Sequence, residues 1–145
     1  MRKRNDMTNQ QVSVPQSAPQ WRSFPPFYEH PGLQLEALAD GKCIIRLPYV
    51  QHFGNTRGEV HGGIVASLLD TTLSQALRST IEGPADVATI SMPVSYLAPA
   101  VGVLECHRTV VRGGRSIGFV EGEVIDEKGH AVSRATATYR IHRPR

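Results

Sequence analysis

The longest periodic run of hydrophobic residues lies at positions 62–80 and predicts one long helix. At about 100° per residue, apolar side chains surround most of its circumference: Ile64, Val65, Leu68, Leu69, Leu73, Ala76 and Leu77. The remaining stripe is polar and consists of Ser67, Thr71, Ser74, Gln75 and Arg78. A helix that is apolar nearly all round is buried, so other elements of the chain must wrap around it.

The stretches on both sides of this helix predict β-strands. Residues 33–39 and 43–47 flank Asp40-Gly41, a dipeptide favoured in tight hairpin turns. After the helix, strand-like patterns cover 87–97, 101–112, 116–125 and 131–141, and Gly113-Gly114 predicts a hairpin between the second and third of these. Pro93 cannot donate to a strand ladder, so the 87–97 strand is expected at a sheet edge or with a bulge.

The predicted order is therefore a hairpin, one buried helix and a meander of about four strands. One face of the last strand carries Ala131, Ser133, Ala135, Ala137, Tyr139 and Ile141, and these mostly small residues would let the helix approach closely. Hairpin connections imply an antiparallel sheet, and the helix covers one of its faces, which is an α+β fold. The other face and the edge strand need cover, so we expect at least a homodimer.

Length and composition indicate one folded domain. The 145 residues suit a single core. Residues 1–26 lack periodicity and are expected to form a flexible tail, which leaves 27–145 as the domain. We expect neither a membrane span nor a secretory signal, because no long apolar run is present and none follows the basic N-terminus. Cys43 and Cys106 lack ligand spacing, which predicts buried free thiols in a reducing compartment and hence a cytoplasmic protein.

The charge pattern argues against nucleic acid as a partner. The net charge is only +3, and much of the basic excess lies at the two chain ends. A nucleic-acid-binding protein usually has a denser basic patch interleaved with aromatic residues, so an anionic small molecule is the more economical partner. His52, His107, His130 and His142 show no metal-ligand spacing. We therefore expect neither a metal nor a cofactor.

The chemistry points to the start of the long helix. Gly62 and Gly63 begin it, and Asp70 follows two turns later beside small side chains, which leaves space for a substrate. The alternative is an aspartate that only ion-pairs on a solvated face. His61 could act as a base or as a structural hydrogen-bonding group, and Asn55 could be a turn residue. No Gly-x-Ser-x-Gly motif is present, which argues against a serine hydrolase.

The motif around these residues resembles that of a known family. The run from Asn55 to Gly63 (NTRGEVHGG), followed after six residues by Asp70, is similar to the signature of hot-dog-fold acyl-CoA thioesterases of the phenylacetic-acid-pathway (PaaI) type. The later runs YLAPA at 96–100 and ATATY at 135–139 also fit that family. The resemblance covers roughly residues 33–141 and implies an antiparallel sheet wrapped around one long central helix.

The resemblance also implies roles for individual residues. Asp70 would act as general base on water or as nucleophile on the thioester carbonyl, and the backbone N–H groups of Gly62 and Gly63 would polarise that carbonyl. Asn55 would orient the nucleophile or contact the thioester, and Thr89 would position water. In such proteins the site forms between two subunits, and the assembly is commonly a dimer of dimers.

The predicted function is hydrolysis of an aromatic or medium-chain acyl-CoA to free acid and CoA, without nucleic-acid or membrane partners. Negative charge develops on the carbonyl oxygen during this reaction, and a helix N-terminus can stabilise it. A dehydratase or hydratase on the same fold would need a differently arranged histidine and acid. A non-catalytic acyl-CoA sensor is the remaining alternative, against which the presence of Asp70 counts.

Overall fold

The computed structural model describes residues 27, 29 and 31–144. The predicted tail at 1–26 lies outside the described residues. In chain order the elements are β1 (Gln34–Ala39), β2 (Lys42–Leu47), a short 3-10 turn (Gln51–Phe53), α1 (Gly62–Ser79), β3 (Asp86–Ser91), β4 (Val94–Tyr96), β5 (Leu104–Gly113), β6 (Ile117–Ile125) and β7 (Ala131–His142). The long helix is therefore present where the hydrophobic period predicts it.

The strands form one antiparallel sheet in the order β1-β2-β5-β6-β7-β3, and β4 also pairs with β7. This confirms the predicted antiparallel sheet with one long helix against it. The predicted four-strand meander is only partly correct, because the described hairpins that follow the helix connect only β5, β6 and β7. The chain passes from β2 through α1 to β3 at the far edge and then returns to place β5 beside β2.

The strand predicted at 87–97 is in fact two strands. Met92 and Pro93 separate β3 from β4, and the register against β7 shifts between Thr89 and Ser91. Since Pro93 has no N–H to donate, the ladder breaks there. Both expectations for this segment are nevertheless confirmed, because the pairing is irregular and β3 ends the sheet among the described residues.

The core lies between α1 and one face of the sheet. Leu68, Leu69, Leu73 and Leu77 have at most 1% of their surface exposed. The helix packs closely over β6, where a Cβ on Gly118 would lie 2.5 Å from Leu77 and one on Gly122 would lie 2.8 Å from Leu73. The predicted small-residue face of β7 is buried as well, at Ser133, Ala135, Ala137, Tyr139 and Ile141.

Two local predictions are confirmed. Asp40 and Gly41 both have positive φ, 43° and 80°, as the tight turn between β1 and β2 requires. Cys43 and Cys106 are free and buried, and burial raises the pKa of each thiol to about 12.

None of the helices in residues 31–144 has the length and apolarity to span a membrane.

Candidate active site

The N-terminus of α1 is held by contacts on several sides. His61 is the N-cap, and its Nδ1 accepts a hydrogen bond from the Gly63 N–H at 3.0 Å. Its backbone N–H donates to the Phe53 carbonyl at 2.8 Å, and the Val60 N–H donates to the Ala100 carbonyl at 2.7 Å. The His61 ring therefore caps the helix. Of its two possible roles, base or structural hydrogen-bonding group, this contact is the structural one.

The two glycine amides differ in availability. The Gly63 N–H is taken by His61, whereas the Gly62 N–H has no acceptor among the described residues. First-turn N–H groups of a helix lack intrahelical partners and carry its positive dipole end. Of the two predicted carbonyl-polarising groups, the Gly62 amide is thus the one open to a ligand.

Asn55 organises the loop that leads to this helix. Its Oδ1 accepts from the backbone N–H groups of Arg57 and Glu59 at 2.8 and 3.1 Å, and its Nδ2 donates to Glu59 Oε2 at 3.0 Å. Arg57 donates to the same oxygen from Nε and Nη2. The hydrogen bonds from Arg57 and then Asn55 lower the pKa of the Glu59 carboxyl. Both functional atoms of the Asn55 side chain are thus engaged within its own loop.

A cavity of about 500 Å³ opens beside the helix N-terminus. Its polar end is formed by Asn55, Arg57 and Glu59. The remaining lining is largely apolar and consists of Val60, Gly62, Val65, Tyr96, Leu97, Ala98, Pro99, Ala100 and Val132. This composition suits a ligand with a polar head and an apolar body.

Asp70 lies two turns further along α1, against β3 and β7. Its Oδ1 accepts from Thr89 Oγ1 at 2.8 Å. The Tyr139 hydroxyl lies 3.0 Å from the same oxygen and 3.2 Å from the Asp70 carbonyl, so it can donate to either. No donor among the described residues reaches Oδ2. One oxygen is therefore fixed by neighbouring strands, and the other is open.

One protomer does not bring the carboxylate and the glycine amides together. Asp70 follows Gly62 by eight residues, which corresponds to roughly 12 Å along the helix axis. The cavity at the helix N-terminus is lined by Gly62 and Asn55, whereas Asp70 is not among the described residues that line it. Asp70 instead contacts Thr89, another of the site residues predicted from the sequence.

Two tyrosines belong to these regions although the sequence did not single them out. Tyr139 is predicted from the sequence only as a member of the small-residue face of β7. It lies opposite Thr89 in the ladder between β3 and β7, and both hydroxyl groups reach Asp70 on α1. Tyr96 was part of the YLAPA run, and its hydroxyl donates to the Gly62 carbonyl at 2.9 Å. The available signal for Tyr139 was its position on the same strand face as the small residues that contact the helix.

Among the described residues, no group of three or more His, Cys, Asp or Glu side chains is arranged to hold a metal ion. The groups that these residues offer for chemistry are a carboxylate, a helix N-terminal amide and the hydroxyl groups of Thr89 and Tyr139.

Comparison with known families gives a match over residues 57–133 to the thioesterase superfamily. A protein from Halobacterium salinarum named as a candidate esterase is 42% identical over 99 residues, which cover 65% of this chain and 66% of that protein. Human acyl-coenzyme A thioesterase 13 is 28% identical over 99 residues, covering 66% of this chain and 69% of that protein.

A solved structure shows the same architecture. It is a phenylacetic acid degradation-related protein from Ralstonia eutropha, described as a candidate thioesterase, which superposes with a TM-score of 0.75 at 28% sequence identity. The superposition covers 81% of this chain and 90% of the Ralstonia protein. The expected hot-dog fold is thereby confirmed.

Proposed function

Because the chain belongs to the thioesterase superfamily, we propose that it hydrolyses the thioester of an aromatic or medium-chain acyl-CoA to the free acid and CoA, with Asp70 as the reacting carboxylate. The observation that carries this proposal is the environment of Asp70. Thr89 and Tyr139 fix Oδ1, and Oδ2 has no donor among the described residues. A carboxylate held at one oxygen and open at the other is suited to accept a proton or to attack a carbonyl.

The Gly62 amide supplies the second requirement of the reaction. As a water or carboxylate oxygen adds to the thioester carbon, negative charge develops on the carbonyl oxygen, and an N–H at a helix N-terminus stabilises that charge. Collapse of the adduct breaks the C–S bond and releases the CoA thiolate, which then takes up a proton. If Asp70 is the base, the attacking water loses its proton to Oδ2. If it is the nucleophile, water hydrolyses the resulting anhydride.

The site is proposed to lie between two subunits. The rise of roughly 12 Å between Gly62 and Asp70 on one helix is too long for both to contact one thioester. An interface beside Asp70 is supported by the edge strand β3, which carries Thr89. This strand exposes Ala88 and leaves Ile90 56% exposed. An unpaired apolar edge favours association with a second copy. We propose a homodimer whose sites combine Gly62 and Asn55 of one subunit with Asp70 of the other, and a further dimer of dimers.

The apolar part of the cavity at the helix N-terminus supports a hydrophobic acyl group. Val60, Val65, Leu97 and Val132 line it beside Gly62, so an acyl chain there would keep its carbonyl near the open amide. The name of the human relative supports CoA as the thiol part.

The direct test is CoA release from a panel of acyl-CoA substrates, followed with a thiol reagent at about pH 8. The protein's own thiols will contribute little, because burial raises the pKa of Cys43 and Cys106 to about 12. We expect Asp70→Asn to lose on the order of 1,000-fold in kcat. Asp40→Asn is the matched control, since this exposed turn residue tolerates asparagine.

Equal release by Asp70→Asn and wild-type protein would contradict the role of Asp70, and tight acyl-CoA binding without release would contradict hydrolysis. The latter would indicate the acyl-CoA-binding alternative.

Subunit mixing tests the shared site. Asp70→Asn and Gly62→Pro homodimers are each expected to lose on the order of 100- to 1,000-fold in kcat, the second because proline removes the amide donor. A mixed dimer would contain one intact site, with Gly62 from one chain and Asp70 from the other. Activity that returns on unfolding and refolding the two variants together supports the shared site, and a mixture as inactive as its components contradicts it.

A further inference from the structure

Tyr96 occupies an unusual position over the start of α1. Its hydroxyl donates to the Gly62 carbonyl at 2.9 Å, and two of its ring carbons lie 3.3 and 3.4 Å from where a Cβ on Gly62 would be. The residue is 56% exposed, so burial does not force its hydroxyl to find a protein partner. The contact therefore serves something other than satisfaction of a buried polar group.

The peptide group between Gly62 and Gly63 is held at both of its polar atoms. Tyr96 donates to its carbonyl oxygen, and its N–H donates to His61 Nδ1 at 3.0 Å. Two consecutive glycines are the most flexible way to begin a helix, because neither has a Cβ to restrict φ and ψ. Fixing this peptide restricts the rotation of Gly62, whose own N–H is the open one.

Tyr96 is itself mounted on a well-anchored segment. It is paired with Ser133 in the ladder between β4 and β7. The next residue, Leu97, donates its N–H to the Val132 carbonyl at 2.9 Å, and Ser133 Oγ donates to the Ser95 carbonyl at 3.0 Å. A side chain projecting from such a strand can hold a neighbouring group within the tolerance that catalysis requires.

We propose that Tyr96 is a positioning residue that holds the Gly62 amide in the orientation needed to polarise the substrate carbonyl. The proposal rests on the proposed function, since it assigns a task to a residue beside that site. Tyr96 acts through the Gly62–Gly63 peptide and does not need to touch the reacting atoms. Its loss should therefore affect the transition state more than the binding of substrate.

The kinetic test is Tyr96→Phe, which keeps the ring over Gly62 and removes the hydroxyl. We expect kcat to fall on the order of 10-fold with KM within about twofold of wild type, since misplacement of a catalytic group slows chemistry more than binding. Tyr49→Phe is the matched control, because Tyr49 is also about half exposed, at 47%, and is distant in sequence from β4. Unchanged kcat in Tyr96→Phe, or parallel changes in kcat, KM and melting temperature, would overturn the proposal.

A spectroscopic measurement separates this proposal from the proposed function. In the Asp70→Asn background, the infrared carbonyl stretch of a bound, isotope-labelled acyl-CoA should lie below that of free acyl-CoA, because the Gly62 N–H polarises it. Adding Tyr96→Phe should move the band back toward the free value. A shifted band whose position is the same with and without Tyr96→Phe would refute the positioning role and leave the proposed function intact. A band that is unshifted even with Tyr96 present counts against the Gly62 role in the proposed function and removes the basis of the positioning proposal.

Discussion

The two ends of the proposed chemistry are built in opposite ways. The helix N-terminus is assembled mainly from residues close together in sequence, with Asn55, Glu59 and His61 arranged around Gly62 and Gly63. The Asp70 carboxylate is instead held by strands distant in sequence, through Thr89 at 19 residues and Tyr139 at 69 residues of separation. The first region offers a backbone donor, and the second offers a side-chain acceptor.

This difference determines how each region responds to mutation. A backbone N–H cannot be removed by ordinary substitutions, so the N-terminal region should tolerate changes that keep the peptide in place. A carboxylate depends on the side chains that orient it, so loss of Thr89 or Tyr139 acts directly on Asp70. Substitutions can therefore separate the contribution of the amide from that of its surroundings.

Gly62→Pro should have the largest effect in this comparison, because it deletes the amide hydrogen itself. Proline is favoured at the first position of a helix, and the ψ of 135° at the preceding His61 lies within the range that a following proline requires. We expect kcat to fall on the order of 100- to 1,000-fold, the usual cost of one oxyanion donor.

Gly62→Ala is the matched control, since alanine adds a Cβ but keeps the N–H. That Cβ would lie 3.3 Å from the Tyr96 ring, so a shift of a few tenths of an ångström is required. Its loss of kcat should be much smaller than that of proline. Equal losses in the two variants would mean that crowding, and not the amide, explains the effect.

Much of the fold could be predicted because its signals are local. The helix follows from the spacing of its apolar residues, and the first hairpin follows from Asp40-Gly41. The strand order could not be derived in the same way. No local pattern indicates that β3 pairs with β7 at the end of the sheet, because that pairing is between strands distant in sequence.

The candidate site divides along the same line. The residues from Asn55 to Gly63 are contiguous in one motif, so the sequence could predict this part of the site. The contact between Tyr139 and Asp70 depends on how α1 packs against β7 across 69 residues of sequence, and the sequence therefore indicates only the strand face of Tyr139. The engagement of the Gly63 amide by His61 was also invisible, since it depends on the rotamer of the imidazole.

Tyr139→Phe and Thr89→Val test the second region. Each removes one hydroxyl near Asp70 Oδ1, and we expect each to reduce kcat on the order of 10-fold by loosening the carboxylate. Their effects on stability should differ, because Tyr139 is fully buried and Thr89 is exposed. Removing a buried hydrogen bond costs about 1 kcal/mol, so thermal unfolding should detect Tyr139→Phe more readily. Wild-type kcat in both variants would show that Asp70 needs no such support.

Glu59→Gln should have the smallest effect, because it changes only the loop that precedes the helix. Glu59 Oε2 accepts from Arg57 and Asn55, and a neutral amide would weaken these contacts. The hydrogen bonds that Asn55 Oδ1 accepts from the backbone would remain. We expect a loss of a few-fold in kcat/KM, with Glu82→Gln as the exposed control. Loss of activity as large as that of Gly62→Pro would contradict the subordinate role of this loop.

The pH dependence of stability provides the second measurement on Glu59. Its pKa is lowered in the folded protein, chiefly by the Arg57 hydrogen bond, so the ionised form stabilises the fold. That contribution is complete above the ordinary glutamate pKa of about 4.3 and disappears as the pH falls through the lower folded value. The difference in melting temperature between wild type and Glu59→Gln should therefore be constant near neutrality and shrink only in acid. A difference that shrinks near neutral pH would have to come from another group, and the hydrogen-bonded carboxylate would then not be what anchors Asn55.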